Sequence, residues 1–426
     1  MVAHDTPGNR LSLAVVIDAV ATRSDLTAST AALASLATEL PVATVVTTAT
    51  PYSSARVFTD LDADIIAVVS PNHVPAPGAF RLVEEMFAID PGLDVLFGSD
   101  DDRAAPYVGF AVERLRTHDY LGGLIAVRGN FARRLAGLNP DRSPYHRWDL
   151  ALRAVDLTRG IACSPRPLAT AAGAAARRDS PEARRRGRLV LHDHLTRCGI
   201  RALVETTSRP GYFQTRRVLD TSPMVSVIVP SPRARHANAD QHVQALEATL
   251  DSIIEHSPTP VPEILVITDD SMPSAELRRM IELCEGAADV LPLCRRTSTS
   301  WRHVDIAVSL AEGEMLLIVD DTTVIASPDW ISTLTALAAD PSIGAAFAVS
   351  DRVRACDDEW SIQSESDIIR SGCVAMRRDV FCAIGGFPDD ESGRAIPLAL
   401  AEKGLSCVHT PQVRFHEHAG EVAGAR

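Results

Sequence analysis

Lysine is nearly absent. Of 42 basic residues, 41 are arginine and one, Lys403, is lysine. Beside the abundant alanine, this bias reads as the base composition of a GC-rich genome rather than selection for the guanidinium fork that matches phosphate. The eight cysteines include no CxxC pair, so no zinc site is expected and the thiols should be reduced and mostly buried. No apolar run nears the ~18 residues that span a bilayer. The start, MVAHDTPGNR, offers no basic segment followed by an apolar core, so no signal peptide is expected either. The expected location is cytoplasmic, with the inner face of the membrane as the place of any attachment. Positive charge is in deficit too: the net charge of −13 argues against nucleic acid as a partner.

What is present is a long-period repeat. A chain of 426 residues exceeds one ordinary core, at roughly 150 residues per domain. Gly123-Leu-Ile-Ala-Val-Arg128 matches Gly372-Cys-Val-Ala-Met-Arg377, and Gly137-Leu-Asn-Pro-Asp141 matches Gly386-Phe-Pro-Asp-Asp390, both at an offset of 249. At the same offset Ile65-Ile-Ala-Val-Val-Ser-Pro-Asn72 meets Glu314-Met-Leu-Leu-Ile-Val-Asp-Asp321. Asp90-Pro91 matches Asp340-Pro341 one residue off. So long a period means a duplicated domain. The first strands, Val15–Asp18 and Val227–Pro230, are only 212 apart, so copy one is about 37 residues shorter there, enough to have lost one βα unit.

Each copy reads as alternating strands and helices. In copy two the pattern predicts strands over Met224–Pro230, Glu263–Thr268 and Glu314–Val319. It predicts helices over Val243–Glu255, Ser274–Cys284 (with a Ser N-cap) and Trp301–Ala311. Short apolar strands between helices imply an α/β fold with a mainly parallel, Rossmann-like sheet covered on both faces. Residues 165–222 differ: Arg184-Arg-Arg-Gly-Arg188 leads into a helix through Thr196, and Ala202–Val218 turns at Pro210-Gly211 as a hairpin. The expected division is 1–164, a connecting helix and hairpin over 165–222, and 223–426. The arginine run reads as a solvated helix face, with a phosphate, an acidic partner or a membrane surface as the competing reading.

Ligands of such sheets sit at the carboxyl ends of strands. Asp320-Asp321 follow a strand directly, as suits a divalent cation on a diphosphate, or else an acidic turn. Phe415-His-Glu-His418 would point His416 and His418 the same way on a strand, as metal ligands or surface groups. Asp269-Asp270 close the second strand, either against a ribose or base or as a plain turn.

The order of these stretches resembles the family 2 glycosyltransferases. The matching stretches are Val225–Pro230, Glu263–Ser271, Ala311–Thr322, Ser327-Pro-Asp-Trp330, Val374–Phe381 and Gly385-Gly-Phe387. His118-Asp-Tyr-Leu-Gly-Gly-Leu124 and Trp148-Asp-Leu-Ala-Leu-Arg153 are similar to the first domain of bacterial two-domain enzymes that build rhamnose-containing and other surface polysaccharides. The resemblance implies two tandem GT-A domains, the first truncated. It implies inverting transfer from a nucleotide-diphosphate sugar to a glycan or lipid-linked acceptor, assisted by Mg²⁺ or Mn²⁺. By position, Asp321 matches the last acid of the metal motif, whose first place is Val319, with Asp320 as partial compensation. His416 or His418 matches the late histidine near metal and diphosphate. Pro230, Ser231, Asp269 and Asp320 fall at the donor. The general base departs from the pattern: Ser392-Gly-Arg-Ala395 holds no acid, leaving Asp390 or Glu391 just before it. Copy one reads Ser70-Pro-Asn72 at the metal and Arg147 at the base, with Asp100-Asp-Asp102 in a loop. Two functions follow: a working transferase, or an inactive scaffold or regulatory subunit among other glycan-assembly proteins.

Overall fold

The computed structural model describes residues 11–17, 44–47, 56–70, 73–98, 110–171, 180–232, 238–258, 261–269, 272–293, 300–356, 362–369, 372–387 and 393–418. The chain divides into two compact units, residues 1–216 and 217–426.

Apolar runs such as LAVVI, IIAVV and MLLIV are buried at every position. Such runs suit strands covered on both faces. The first unit carries β1 (Leu13–Ile17), β2 (Thr44–Thr47), β3 (Ile65–Val69), β4 (His73–Pro75), β5 (Val95–Phe97), β6 (Leu124–Arg128), β7 (Ile161–Cys163) and β8 (Ala169–Ala171). Its main sheet has the order β2-β1-β3-β6-β5-β7, with β4 paired to β8 apart from it. The hairpin β9 (Ala202–Thr206) and β10 (Phe213–Arg217) follows the helix Pro181–Arg197. That helix and hairpin send Ala183, Val190, Leu191 and Phe213 into the same core as Trp148 and Leu152.

The second unit carries β11 (Val225–Pro230), β12 (Glu263–Asp269), β13 (Asp289–Leu293), β14 (Met315–Val319), β15 (Thr323–Ile325), β16 (Ile343–Ser350), β17 (Ser364–Glu365), β18 (Cys373–Arg377) and β19 (Ser406–Glu417). The order is β13-β12-β11-β14-β18-β16-β19-β15, with β17 also on β19. Alternate residues pack opposite layers. Val227, Val229, Leu317 and Val319 meet the helices Ala239–Glu255 and Trp330–Ala338 on one face. Ile228, Leu316 and Ile318 meet the helices Ser300–Leu310 and Ala395–Glu402 on the other.

The expected α/β class is present, but neither sheet is uniformly parallel. β18 runs antiparallel to β14 and β16, and β6 does the same beside β3 and β5. Element bounds move little from expectation. The first helix starts earlier, at Ala239, because Asn238 caps it by accepting from the Gln241 amide at 2.9 Å. The helix Ser274–Cys284 has the expected span, but Pro273 stands at its cap without a side-chain bond.

Without its two outer strands, β13 and β15, the second order reproduces the first, with β11, β12, β14, β18, β16 and β19 in the places of β1, β2, β3, β6, β5 and β7. Hydrogen bonds match in detail. Ser70 N donates to Gly123 O at 2.8 Å, and Asp320 N to Gly372 O at 2.7 Å. Arg128 donates to the carbonyls of Phe87, Asp90 and Leu93. Arg377 donates to those of Ala338, Asp340 and Ile343. The pairing also corrects the register. Ile65 faces Arg128 and Met315 faces Arg377, so β3 and β14 are related by 250 while β6 and β18 are related by 249. Ser70 therefore corresponds to Asp320, and Asn72 to Thr322.

Gly123 and Gly372 are required by close approach. A Cβ at Gly123 would lie 2.2 Å from the His73 ring, and one at Gly372 would lie 2.2 Å from Thr323 Oγ1. Overpacking at buried sites costs about 1–3 kcal/mol. Gly123→Ala and Gly372→Ala should each lower stability by that amount in urea unfolding; a neutral result at either would show that the turn relaxes freely.

Candidate functional site

The carboxyl ends of β11, β12 and β14 meet at one edge of the second sheet, because these three strands are mutually parallel. Asp320 and Asp321 occupy the turn after β14. Asp320 is half-buried, Asp321 is fully buried, and Thr322 is half-buried again. The side chain of Asp321 is drawn beneath the turn, where Ser231 Oγ donates to its Oδ2 at 2.8 Å. His242 Nε2 lies 2.7 Å from Ser231 Oγ, and His242 Nδ1 lies 2.8 Å from Glu276 Oε1. Thr249 Oγ1 donates to the backbone carbonyl of Asp321 at 2.9 Å. Ser231 donates to Asp321, and the imidazole of His242 bridges Ser231 and Glu276 through its two ring nitrogens. Ser231, His242 and Asp321 have no exposed surface, and Glu276 has 3 %. A chain of charged and polar groups at that depth persists only when each member is paired.

This geometry separates residues that sequence had grouped. Asp321, expected on a metal, is committed to Ser231. Ser231, expected at the donor, is committed to Asp321 and His242. Pro230 is buried at the end of β11. Asp269 ends β12 beside Leu293, but its side chain lies outside the described residues. His416 is exposed on β19 opposite Val324. His418 N donates to Thr322 O at 2.7 Å, which seats that residue beside the acidic turn. Asp390 and Glu391 lie outside the described residues, as do Asp100, Asp101 and Asp102. Phe387 and Gly393, the described residues that flank Asp390 and Glu391, each make a hydrogen bond. Phe387 N donates to Asp305 Oδ1 at 3.3 Å, and Ile369 N donates to Gly393 O at 2.8 Å.

Sequence reasoning missed His242 and Glu276. The available signal was that His242 shares a helix face with Leu246, Thr249 and Ile253, a core stripe with two polar members.

The first unit shows a different edge. Arg147, buried to 7 % exposure, donates to Ser70 Oγ and to Gly122 O, and sits 3.8 Å from the buried Asp119 carboxylate. Its guanidinium occupies the end of β3, at the residue that corresponds to Asp320.

Among the described residues, the set of three metal-ligand side chains whose ligand atoms lie within 4.8 Å of one another is Asp156, His194 and Cys198. Its surroundings do not suit a cation. Arg116 Nε donates to His194 Nε2 at 3.1 Å, and His194 Nδ1 lies 3.0 Å from Asp156. Arg197 Nε donates to the same carboxylate at 2.6 Å. Both imidazole nitrogens are used, and two guanidiniums border the space. The group ties the helix His146–Leu157 to the helix Pro181–Arg197. Burial pushes the Cys198 thiol up.

Comparison with known proteins follows the same outline. No family model matches the chain. It is 25% identical over 419 residues to "O-antigen biosynthesis protein RfbC" of Myxococcus xanthus, an alignment covering 85% of this chain and 31% of that protein. It is 23% identical over 287 residues to "Uncharacterized protein y4gI" of Sinorhizobium fredii, covering 59% of this chain and 31% of that one. It spans about a third of the length of these curated relatives. Among solved structures it is similar to the mannosyltransferase PcManGT of Pyrobaculum calidifontis in complex with GDP-Man and Mn²⁺, with a TM-score of 0.38 and 22% identity over 48% of this chain and 59% of that one. It is also similar to GalNAc-T7 with UDP, GalNAc and Mn²⁺, with a TM-score of 0.38 and 15% identity over 52% and 49%.

Removing the imidazole of His242 would take a buried partner from Glu276 and another from Ser231. Breaking such a group costs about 3–5 kcal/mol, so His242→Ala should lose that much in urea unfolding. A loss below about 1 kcal/mol would show that the network carries little.

His194 gives a pH signature. Burial holds its pKa below the ordinary value of 6.5, so the unfolded chain takes up the proton first. The stability it contributes is present above pH 6.5 and is lost as pH falls through its folded pKa. Between pH 7.5 and 5.5 the wild type should lose more stability than His194→Gln; equal slopes would remove His194 as a source.

Proposed function

We propose that the chain is a glycosyltransferase of surface-polysaccharide assembly, with one donor site, at the carboxyl edge of the second unit. The observation that carries this reading is the β14 turn. Burial of Asp321 fixes the backbone there, leaving Asp320 half-buried at the place where parallel sheets bind ligands. The likeness to RfbC along most of this chain supports the pathway class.

In this reading the donor is a nucleotide-diphosphate sugar, and transfer goes with inversion to a glycan or lipid-linked acceptor at the inner face of the membrane. Asp320 together with His418 or His416 would hold Mg²⁺ or Mn²⁺; a carboxylate and an imidazole beside one turn fit such an ion, which would offset the charge of the diphosphate. Asp321, Ser231, His242 and Glu276 position that turn without touching the donor. Pro230 and Asp269 border the nucleotide. Asp390 or Glu391 takes the acceptor proton. The two units are copies of one ancestral domain, and the first is silent because Arg147 fills its edge.

A second reading has specific support. The withdrawal of Asp321 and the arginine in the first unit are changes that an inactive scaffold of a glycan-assembly complex would accumulate, since packing and chemistry use different residues.

Melting temperature separates the two. With Mn²⁺ present, one of the UDP-, GDP- or dTDP-sugars should raise it; a ligand at 100 times its dissociation constant adds about 2.7 kcal/mol. Asp320→Ala should abolish the shift. No shift with any donor establishes the scaffold reading instead.

A further inference from the structure

The segment 181–216 carries eight arginines against three acids, a net charge of +5, while the other 390 residues carry −18. It is a basic module in an acidic chain, and it folds as one piece. The helix Pro181–Arg197 packs against β9, and β9 pairs with β10. Ala183, Val190, Leu191 and Phe213 turn inward to a shared core, so the helix and hairpin have outer faces that point away from it. On those faces Arg185, Arg188, Arg201, Arg209 and Arg216 are exposed, and Leu203 stands among them at 56 % exposure.

The acids do not neutralise this surface. Glu182 pairs with Arg185 and Arg186. Asp193 is taken by Arg142. Glu205 lies 3.9 Å from Arg216. Arg188 has no ion-pair partner among the described residues, and Arg209 lies over the Tyr212 ring, 4.0 Å from its centroid. An exposed leucine within a cationic face suits the boundary between headgroups and acyl chains. No described helix is long and apolar enough to cross a membrane, so contact with a bilayer by the described residues would be of this surface kind.

We infer that the helix Pro181–Arg197 and the β9–β10 hairpin form a docking surface for a membrane rich in anionic phospholipid. Arginines within a Debye length of the headgroups draw the module down, and Leu203 inserts. This assignment is independent of whether the second unit catalyses.

Sedimentation of the full chain with vesicles tests it. At low salt the protein should pellet with phosphatidylglycerol–phosphatidylcholine vesicles and stay in solution with phosphatidylcholine alone, and 0.5 M NaCl should release it. The variant Arg185→Glu, Arg188→Glu, Arg201→Glu changes exposed positions only. It should weaken partition roughly 100-fold, at about fivefold or more per arginine near the surface. Leu203→Ser should weaken it severalfold with the charge unchanged, which covers misfolding of the triple variant. Absence of pelleting with anionic vesicles, or pelleting that the triple variant and Leu203→Ser both retain, overturns the assignment. Binding of soluble polyphosphate or heparin without vesicle binding overturns it in favour of a soluble polyanion.

Discussion

Everything at the edge of the second sheet depends on one buried carboxylate. Asp321 is pulled beneath the β14 turn by Ser231, and the Ser231 hydroxyl is held in turn by His242 on Glu276. Four side chains from two strand ends and two helices thereby meet at a single point. Their desolvation is tolerable only because each is paired, so the turn has one geometry rather than several. Its consequence is a division of labour within a dipeptide. Asp321 shapes the backbone, and Asp320 stays half-buried at the strand end.

The first unit has no such division at the corresponding edge. Its strands keep the same order and its clamping arginine, Arg128, makes the same carbonyl bonds as Arg377. At the end of β3, however, Ser70 replaces Asp320, and Arg147 reaches across to it from the first turn of the helix His146–Leu157. A guanidinium fills the end of that strand. The fold survived because its core is built from residues such as Val16, Ile66, Trp148 and Phe213, none of which belongs to the edge. The two units thus retain one architecture and present unlike surfaces at the position that matters for binding.

Much of the fold was legible because the strands are continuous apolar runs and the repeat is long. Arg128 and Arg377 appeared at their correct offset from sequence alone. The metal turn did not. Aligning Asn72 with Asp321 at 249 ignored the one-residue change between Pro91 and Gly123, although Asp90 and Asp340 already signalled 250. Cross-strand pairing settles it, because a register slip by one residue would reverse every side chain of β14. The burial of Asp321 was illegible for a different reason. Its partners are 90, 79 and 45 residues away in the chain, and no local pattern marks a carboxylate that has turned inward. His242 carried a faint sign, as a polar residue in a core stripe, but only its partners explain it.

The proposed donor site is single: Asp320 frames it, and Arg147 fills the corresponding place in the first unit. Titration calorimetry with the nucleotide sugar that binds, in the presence of Mn²⁺, measures this directly. One nucleotide per chain is expected in both the wild type and Arg147→Met, and none in Asp320→Ala. Two nucleotides per wild-type chain, or one that persists in Asp320→Ala, would contradict it.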